Sequence, residues 1–312
     1  MRNFIVTIDS AGDLLESSCA ELEIYHIDMT YCLDGESFVD TLQNSDRKNF
    51  YDKVRSGQKS KTAAINPTAY LTFWSELYEK FHLPIIHVSL SKALSGTINY
   101  AHTAAEMLKE DYPDSKVYLV DSYIASLGEG MLALMAADMR DNGFTPEQCM
   151  EKLDFCRRHI NTFYTTDTLK YFVEGGRLSK FAGAVGTVLN INPILDCYPD
   201  GGLKTCAKAR GGQAALKRVC DDIAQTVVNP TEQIIFISHS DAPERAQTMA
   251  KMLTEQYGFK DVYTSFIGAA VGTHCGPGCV AVFYFGKERG TMRMPAFSQP
   301  PIHLHRTASS ML

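Results

Sequence analysis

Six residues near the end of the chain, Thr273-His274-Cys275-Gly276-Pro277-Gly278, place an imidazole directly before a glycine–proline–glycine path. Glycine permits positive φ and close approach, and proline fixes φ and removes a donor, so little bulk surrounds the ring. Apolar, strand-like runs flank the segment, Val262 to Ile267 and Cys279 to Phe285. The pattern predicts a tight turn at a strand end, with His274 either meeting a ligand or only capping nearby carbonyls. A second segment, Ser91-Lys92-Ala93-Leu94-Ser95-Gly96-Thr97, precedes a helical pattern. A helix N-terminus offers free N–H groups and the positive end of the dipole to an anion. Ser95 would add a hydroxyl and Gly96 would let a ligand reach the backbone, although serine is also a preferred cap without any ligand. Two arginines lie beside glycine pairs: Arg177 after Gly175-Gly176, and Arg210 before Gly211-Gly212. Their fixed charge matches carboxylate or phosphate geometry. Gly175-Gly176 reads equally well as a helix C-cap, with Arg177 a surface cation.

Other chemistries find little support. His274, Cys275 and Cys279 lie close in sequence, but no second Cys/His pair at zinc spacing accompanies them. The GxxxxGK[ST] spacing of a phosphate loop is absent, as are G-x-G-x-x-G after the first strand and a G-x-S-x-G elbow. No catalytic residue and no metal is therefore assigned.

The elements that must position these residues follow an alternation of short apolar runs and amphipathic helical segments. Phe4 to Ile8 ends in Asp9-Ser10, Ile85 to Leu90 ends in Ser91, and Val117 to Val120 ends in Asp121-Ser122. Continuous apolar runs of this kind predict parallel strands covered on both faces, with polar residues at their carboxyl ends, where open α/β sheets bind ligands. Helices are predicted over Gly96–Lys109, Ser126–Asp141 and Ser45–Gly57. Another begins at Thr145-Pro146-Glu147-Gln148, where Thr145 caps and Gln148 closes a capping box. The second half adds strand runs at Thr162–Thr166, Asn192–Tyr198, Leu203–Ala209, Gln233–Ser238, Val262–Ile267 and Cys279–Phe285. Asp200-Gly201-Gly202 signals a hairpin, so a mixed sheet is expected there. The expected organisation is an N-terminal α/β domain over residues 1–160, a C-terminal mixed α+β domain over 161–286 and an extension over 287–312. Residues 23–66 carry a weaker pattern, with a small hairpin suggested at Asp34-Gly35. Trp74 is expected in the core.

The 312 residues are long enough for two domains and a large core. A 45% hydrophobic and 21% charged composition is that of an ordinary globular protein, and the net charge of −6 disfavours nucleic acid as a partner. Nine cysteines without a paired framework suit reduced thiols and a cytoplasmic setting. The N-terminus shows no signal-peptide architecture, and no apolar stretch approaches a membrane span.

Taken together, the motifs resemble the DegV family of bacterial fatty-acid-binding proteins. The matching segments run in order: Thr7-Ile8-Asp9-Ser10 with Asp13-Leu14, Leu94-Ser95-Gly96-Thr97, Val120-Asp121-Ser122, Asp167-Thr168-Leu169, Gly175-Gly176-Arg177-Leu178, Asn190 to Leu195 and Gly272 to Gly278. The resemblance implies two α/β domains clasping a long-chain fatty acid, with no other cofactor. It implies that Ser95, Thr62 in a preceding loop and His274 hold the carboxylate, beside Gly96. It also implies that Arg177 and Arg210 serve phosphoryl transfer with a separate ATP-binding kinase subunit, which converts the bound acid to an acyl phosphate for phospholipid synthesis. A carrier of this kind is expected to be a binding subunit rather than an enzyme, with transient contact to a membrane surface compatible with its cargo. Two departures stand out: Thr62-Ala63-Ala64 lacks the usual second hydroxyl of a Thr-Ser pair, and Cys275 replaces a common threonine. The alternatives are a hydrolase or phosphotransferase using His274 as acid/base, and a DNA-binding regulator, which the acidic charge and the lack of a helix-turn-helix pattern disfavour.

Overall fold

The continuous apolar runs of the first half do form a parallel sheet in the computed structural model, which describes residues 2–179 and 190–291. In chain order the elements are β1 (Ile5–Asp9), α1 (Glu16–Glu21), β2 (Ile24–Ile27), β3 (Thr30–Leu33), β4 (Glu36–Val39) and α2 (Asn44–Arg55). They continue with β5 (Ser60–Ala63), α3 (Pro67–Phe81), β6 (Ile85–Ser89), α4 (Thr97–Asp111), β7 (Val117–Asp121) and α5 (Leu127–Asp141). Four strands pair in parallel in the order β2-β1-β6-β7. Val6, Ile8, Ile86 and Val88 pack with Leu127, Met131 and Leu134 of α5. Ile5 and Ile85 pack on the other face with Trp74 and Leu77 of α3 and with Ala101 and Leu108 of α4. Side chains alternate across a strand, so both sets must be apolar, and this is why the runs are continuous.

The second half carries α6 (Pro146–His159), β8 (Ile160–Thr165), α7 (Lys170–Glu174), β9 (Ile191–Cys197), β10 (Leu203–Arg210) and α8 (Gly212–Thr226). It ends with β11 (Ile234–His239), α9 (Pro243–Tyr257), β12 (Asp261–Phe266), α10 (Ala269–Cys275) and β13 (Val280–Phe285). These strands form a separate mixed sheet in the order β10-β9-β8-β13-β11-β12, in which only β11 and β12 run parallel. The β9–β10 hairpin turns at Asp200-Gly201-Gly202, and α6 begins with Pro146 inside the Thr145–Gln148 capping box. One core cluster runs from Phe4, just before β1, and Val6 of the first sheet to Phe283 and Phe285 of the second.

Three features differ from expectation. Residues 30–63 contain a three-stranded antiparallel sheet, β4-β3-β5, whose short strands alternate in exposure and so lack a long apolar run. Thr62 therefore lies on β5, paired with Tyr31 of β3, rather than in a loop. His274 occupies the last turn of α10, not a turn at a strand end, and Gly276 (φ 68°) terminates that helix. Of the extension expected over 287–312, the part from residue 292 lies outside the described residues, as do residues 180–189.

The start of α10 is held from the first half of the chain. Asp40 accepts from the amides of Ala269 (2.7 Å) and Ala270 (3.0 Å), and Asp13 accepts from the amide of Gly268 (2.7 Å). Arg47 lies 4.0 Å from Asp13 and donates to the carbonyl of Phe266 (2.7 Å). All three side chains are buried. Replacing Asp40 by alanine leaves two buried helix-start amides and a buried cation short of a partner. We expect a loss of about 2–4 kcal/mol in unfolding free energy by urea titration, and a change within 0.5 kcal/mol would exclude this role for the carboxylate.

Candidate functional site

A cavity of about 790 Å³, open solvent at its edge included, lies between the two sheets. Most of its wall is apolar: Leu90, Ile124, Phe172, Leu203, Val271 and Phe283 all contribute. Thr62, Ser95, Arg177 and His274 line the same cavity, so four of the residues expected at the site are brought together. Gly96 is exposed as the residue capping α4, and Arg210 is exposed at the end of β10; neither lines the cavity.

Each polar group is placed by a different element. Thr62 reaches from β5, and its Oγ1 is 2.9 Å from His274 Nε2. Ser95 closes the loop after β6, where its own amide donates to Ser91 O (3.1 Å) and its Oγ accepts from the amide of Thr97 (3.3 Å). That second bond makes Ser95 a local cap for α4 as well as a wall residue. Arg177 follows the C-cap of α7. Its Nε donates to Leu94 O (2.9 Å) and its Nη1 to Gly175 O (2.6 Å). The guanidinium thus bridges the Ser95 loop and the glycine pair. Among the described residues no carboxylate lies within ion-pair distance of it.

Burial, with Arg177 nearby, pushes the His274 imidazole down to about 4. The ring is therefore neutral at physiological pH and carries one N–H. Nδ1 is buried without a partner among the described residues. A buried lone pair is tolerated better than a buried, unpaired N–H. The pattern therefore assigns the proton to Nε2, donating to Thr62 Oγ1, and leaves the hydroxyl hydrogen of Thr62 free to donate elsewhere. Neutral donors beside one unpaired guanidinium suit a ligand with a single negative charge, and the apolar wall suits a hydrocarbon body.

Several contributors carried no expectation. Gly175 lies against the imidazole: a Cβ built there would sit 2.2 Å from His274 Nδ1 and 3.0 Å from Tyr171 O. Gly276 likewise makes room for the Tyr171 ring, 2.1 Å from its would-be Cβ. The double glycine is legible as a turn, but its role as a seat for a histidine a hundred residues away is not. Thr162, Tyr164 and Cys279 also line the cavity, and only their strand patterning is visible in the sequence.

An apolar cavity with a cationic, hydroxyl-bearing wall has the chemistry to accept a small amphipathic anion. The chain belongs to the DegV family: the family model described as “Uncharacterised protein, DegV family” matches residues 3–287. A DegV domain-containing protein of Clostridium perfringens is 35% identical over 290 residues, covering 93% of this chain and 99% of the relative. Among solved structures, a DegV lipid binding protein from Thermotoga maritima superposes with a TM-score of 0.84 at 26% identity, over 93% of this chain and 100% of that one. DegV of Bacillus subtilis, described as a fatty acid binding protein, gives 0.79 at 25% identity over 92% and 100%. The Streptococcus pneumoniae Fatty Acid Kinase (Fak) B3 protein, loaded with linoleic acid, gives 0.78 at 21% identity over 91% and 100%, a likeness of fold. Among the described residues no helix is long and apolar enough to cross a membrane.

Two predictions follow from this geometry. Gly175→Ala keeps an allowed backbone (φ −74°) but collides with the imidazole. It should leave the melting temperature within about 3 °C while displacing His274, seen as a changed His274 resonance in NMR spectra. An unmoved resonance would show that the ring has other room. In the unliganded protein His274 should also stay neutral as pH falls from 8 to 5, titrating near 4. Because its folded value lies below the ordinary 6.5, its contribution to stability is complete above about 6.5 and is lost as pH falls toward 4. An NMR midpoint at or above 6 would contradict the burial argument.

Proposed function

We propose that this chain binds a long-chain fatty acid and presents its carboxylate to a separate ATP-dependent kinase subunit for acyl-phosphate formation. One observation carries the reading: a mostly apolar cavity holds a guanidinium with no acidic partner among the described residues, together with a neutral imidazole and the hydroxyls of Thr62 and Ser95. The carboxylate would accept from Thr62 and Ser95 beside His274, with Arg177 supplying the compensating charge. Each acyl CH₂ removed from water contributes roughly 0.8 kcal/mol, so the tail provides most of the affinity and the polar cluster sets orientation. The lipid- and fatty-acid-binding relatives support the ligand class, and the Fak B3 likeness is consistent with a kinase partner.

The chain acts in this scheme as a binding subunit without chemistry of its own. An imidazole held near 4 is a weak general base, and its Nδ1 has no carboxylate to orient it. Ser95 Oγ accepts from the amide of Thr97, and no hydrogen bond joins it to His274 among the described residues. Arg210, exposed and outside the cavity, is assigned to partner contact.

Protein purified from a bacterial host should release about one equivalent of fatty acid into solvent extracts, measured by mass spectrometry. If none is found and none binds on addition, the reading is lost. Ser95→Ala should weaken binding by about tenfold, the worth of one charge-assisted hydrogen bond, and His274→Ala, which removes the donor that orients the Thr62 hydroxyl, should also weaken it, neither unfolding the protein. Arg210→Ala should leave binding unchanged and lower the rate of kinase-coupled phosphorylation, read as ADP release with an ATP-binding fatty acid kinase subunit. Unaltered turnover would remove the arginine from the contact.

A further inference from the structure

The cavity wall contains a second polar element that carboxylate binding leaves unused. Thr162 and Tyr164 lie two residues apart on β8, opposite Phe283 and Ala281 of β13, and all four side chains line the cavity. Thr162 is 1% exposed and Tyr164 7%, and neither Thr162 Oγ1 nor Tyr164 Oη has a hydrogen-bond partner among the described residues. Both Cα positions share one face of the strand, roughly 6.6 Å apart. Buried tyrosine hydroxyls ordinarily find a partner, and an unpaired buried hydroxyl carries a desolvation cost of about 1–3 kcal/mol. A purely hydrocarbon tail would leave both hydroxyls unmatched. Burial also keeps the phenol protonated far above neutrality, so Tyr164 remains a donor.

Resting on the fatty-acid reading above, we infer that Thr162 and Tyr164 form a recognition point for an oxygen carried along the acyl chain, so that the preferred ligands are hydroxy fatty acids. A hydroxyl on the chain both donates and accepts, so it can pair with two neighbouring hydroxyls whichever way each is turned. A cis double bond is a far weaker acceptor and would not satisfy them. Much of the remaining wall is apolar (Ile124, Leu203, Phe283), so an oxygen placed against it would be buried without a partner. The site therefore discriminates by position as well as by chemistry.

The experiment is a competition assay with the full-length, delipidated protein against a panel of C18 acids. The panel holds stearic acid, oleic acid, and stearic acids bearing one hydroxyl at successive positions along the chain. At least one hydroxystearic acid should bind about fivefold or more tightly than stearic acid, the worth of one additional hydrogen bond. Tyr164→Phe and Thr162→Val, which keep shape and remove the oxygen, should erase that advantage while leaving stearic acid binding equal or tighter. If stearic acid binds and no hydroxylated acid exceeds it, or if the advantage survives both substitutions, this inference is overturned alone. A preference for oleic acid over every hydroxy acid overturns it in the same way. If no acid of the panel binds, the fatty-acid reading falls and this inference with it.

Discussion

The attachment of α10 to the first half of the chain is the contact on which the site depends. A seven-residue helix has few internal hydrogen bonds and little intrinsic stability. Its direction must therefore be set from outside. Asp13 and Asp40 do this by taking the amides of Gly268, Ala269 and Ala270. Those are the donors a helix start leaves unpaired, and negative charge is favourable at that end of the dipole. Burial raises both carboxyls above the ordinary carboxylate range, and Arg47 opposes that rise. Tyr51 adds a further tie, donating to Ile267 O at 2.9 Å. Once the first turn is fixed, His274 on the last turn is delivered to Thr62, which comes from the same half of the chain as the two aspartates.

The electrostatic character of the cavity follows from the same placement. A ring set deep enough to meet Thr62 loses water, and the neighbouring guanidinium disfavours a second positive charge. The site therefore holds one full cation and neutral donors rather than two cations. An arginine bonded to two carbonyls keeps its charge while its geometry is locked by Leu94 and Gly175. The same guanidinium joins the Ser95 loop to the turn beneath His274, so the charge and the hydroxyls are fixed relative to each other by one side chain.

How much of this is legible beforehand depends on the range of the cause. The parallel strands, the capping box at Thr145, the hairpin at Asp200-Gly201-Gly202 and the buried Trp74 follow from local pattern. The family motifs single out Thr62, Ser95, Arg177 and His274, which the fold brings to one cavity. The helix carrying His274 is not legible, because Ala269-Ala270-Val271-Gly272-Thr273 is short and contains a glycine that reads as a breaker. The partners of that helix are hidden for a different reason. Asp13 appears within a motif and Asp40 in no motif at all, and their roles arise only from contacts with residues more than two hundred positions away. Gly175 is similar: a local rule explains the turn, while the reason for a missing Cβ lies on another element.

The position of the cavity also links ligand to stability. Its wall draws Leu90, Ile124 and Ala125 from the first half and Tyr164, Phe172, Leu203 and Phe283 from the second. Several of these belong to the core cluster that spans both sheets. Empty space there deprives the surrounding side chains of dispersion contacts, as a cavity made by truncating a core residue does. An apolar ligand would supply those missing contacts, and by mass action it would stabilise the folded state in proportion to the logarithm of its concentration over its dissociation constant. The two sheets meet across this space, so occupancy bears on how firmly the halves are held together as well as on affinity. The polar wall then has a task separate from holding the tail. In the proposed function it would decide which end of an amphipathic molecule faces Arg177, and so which group a partner could reach.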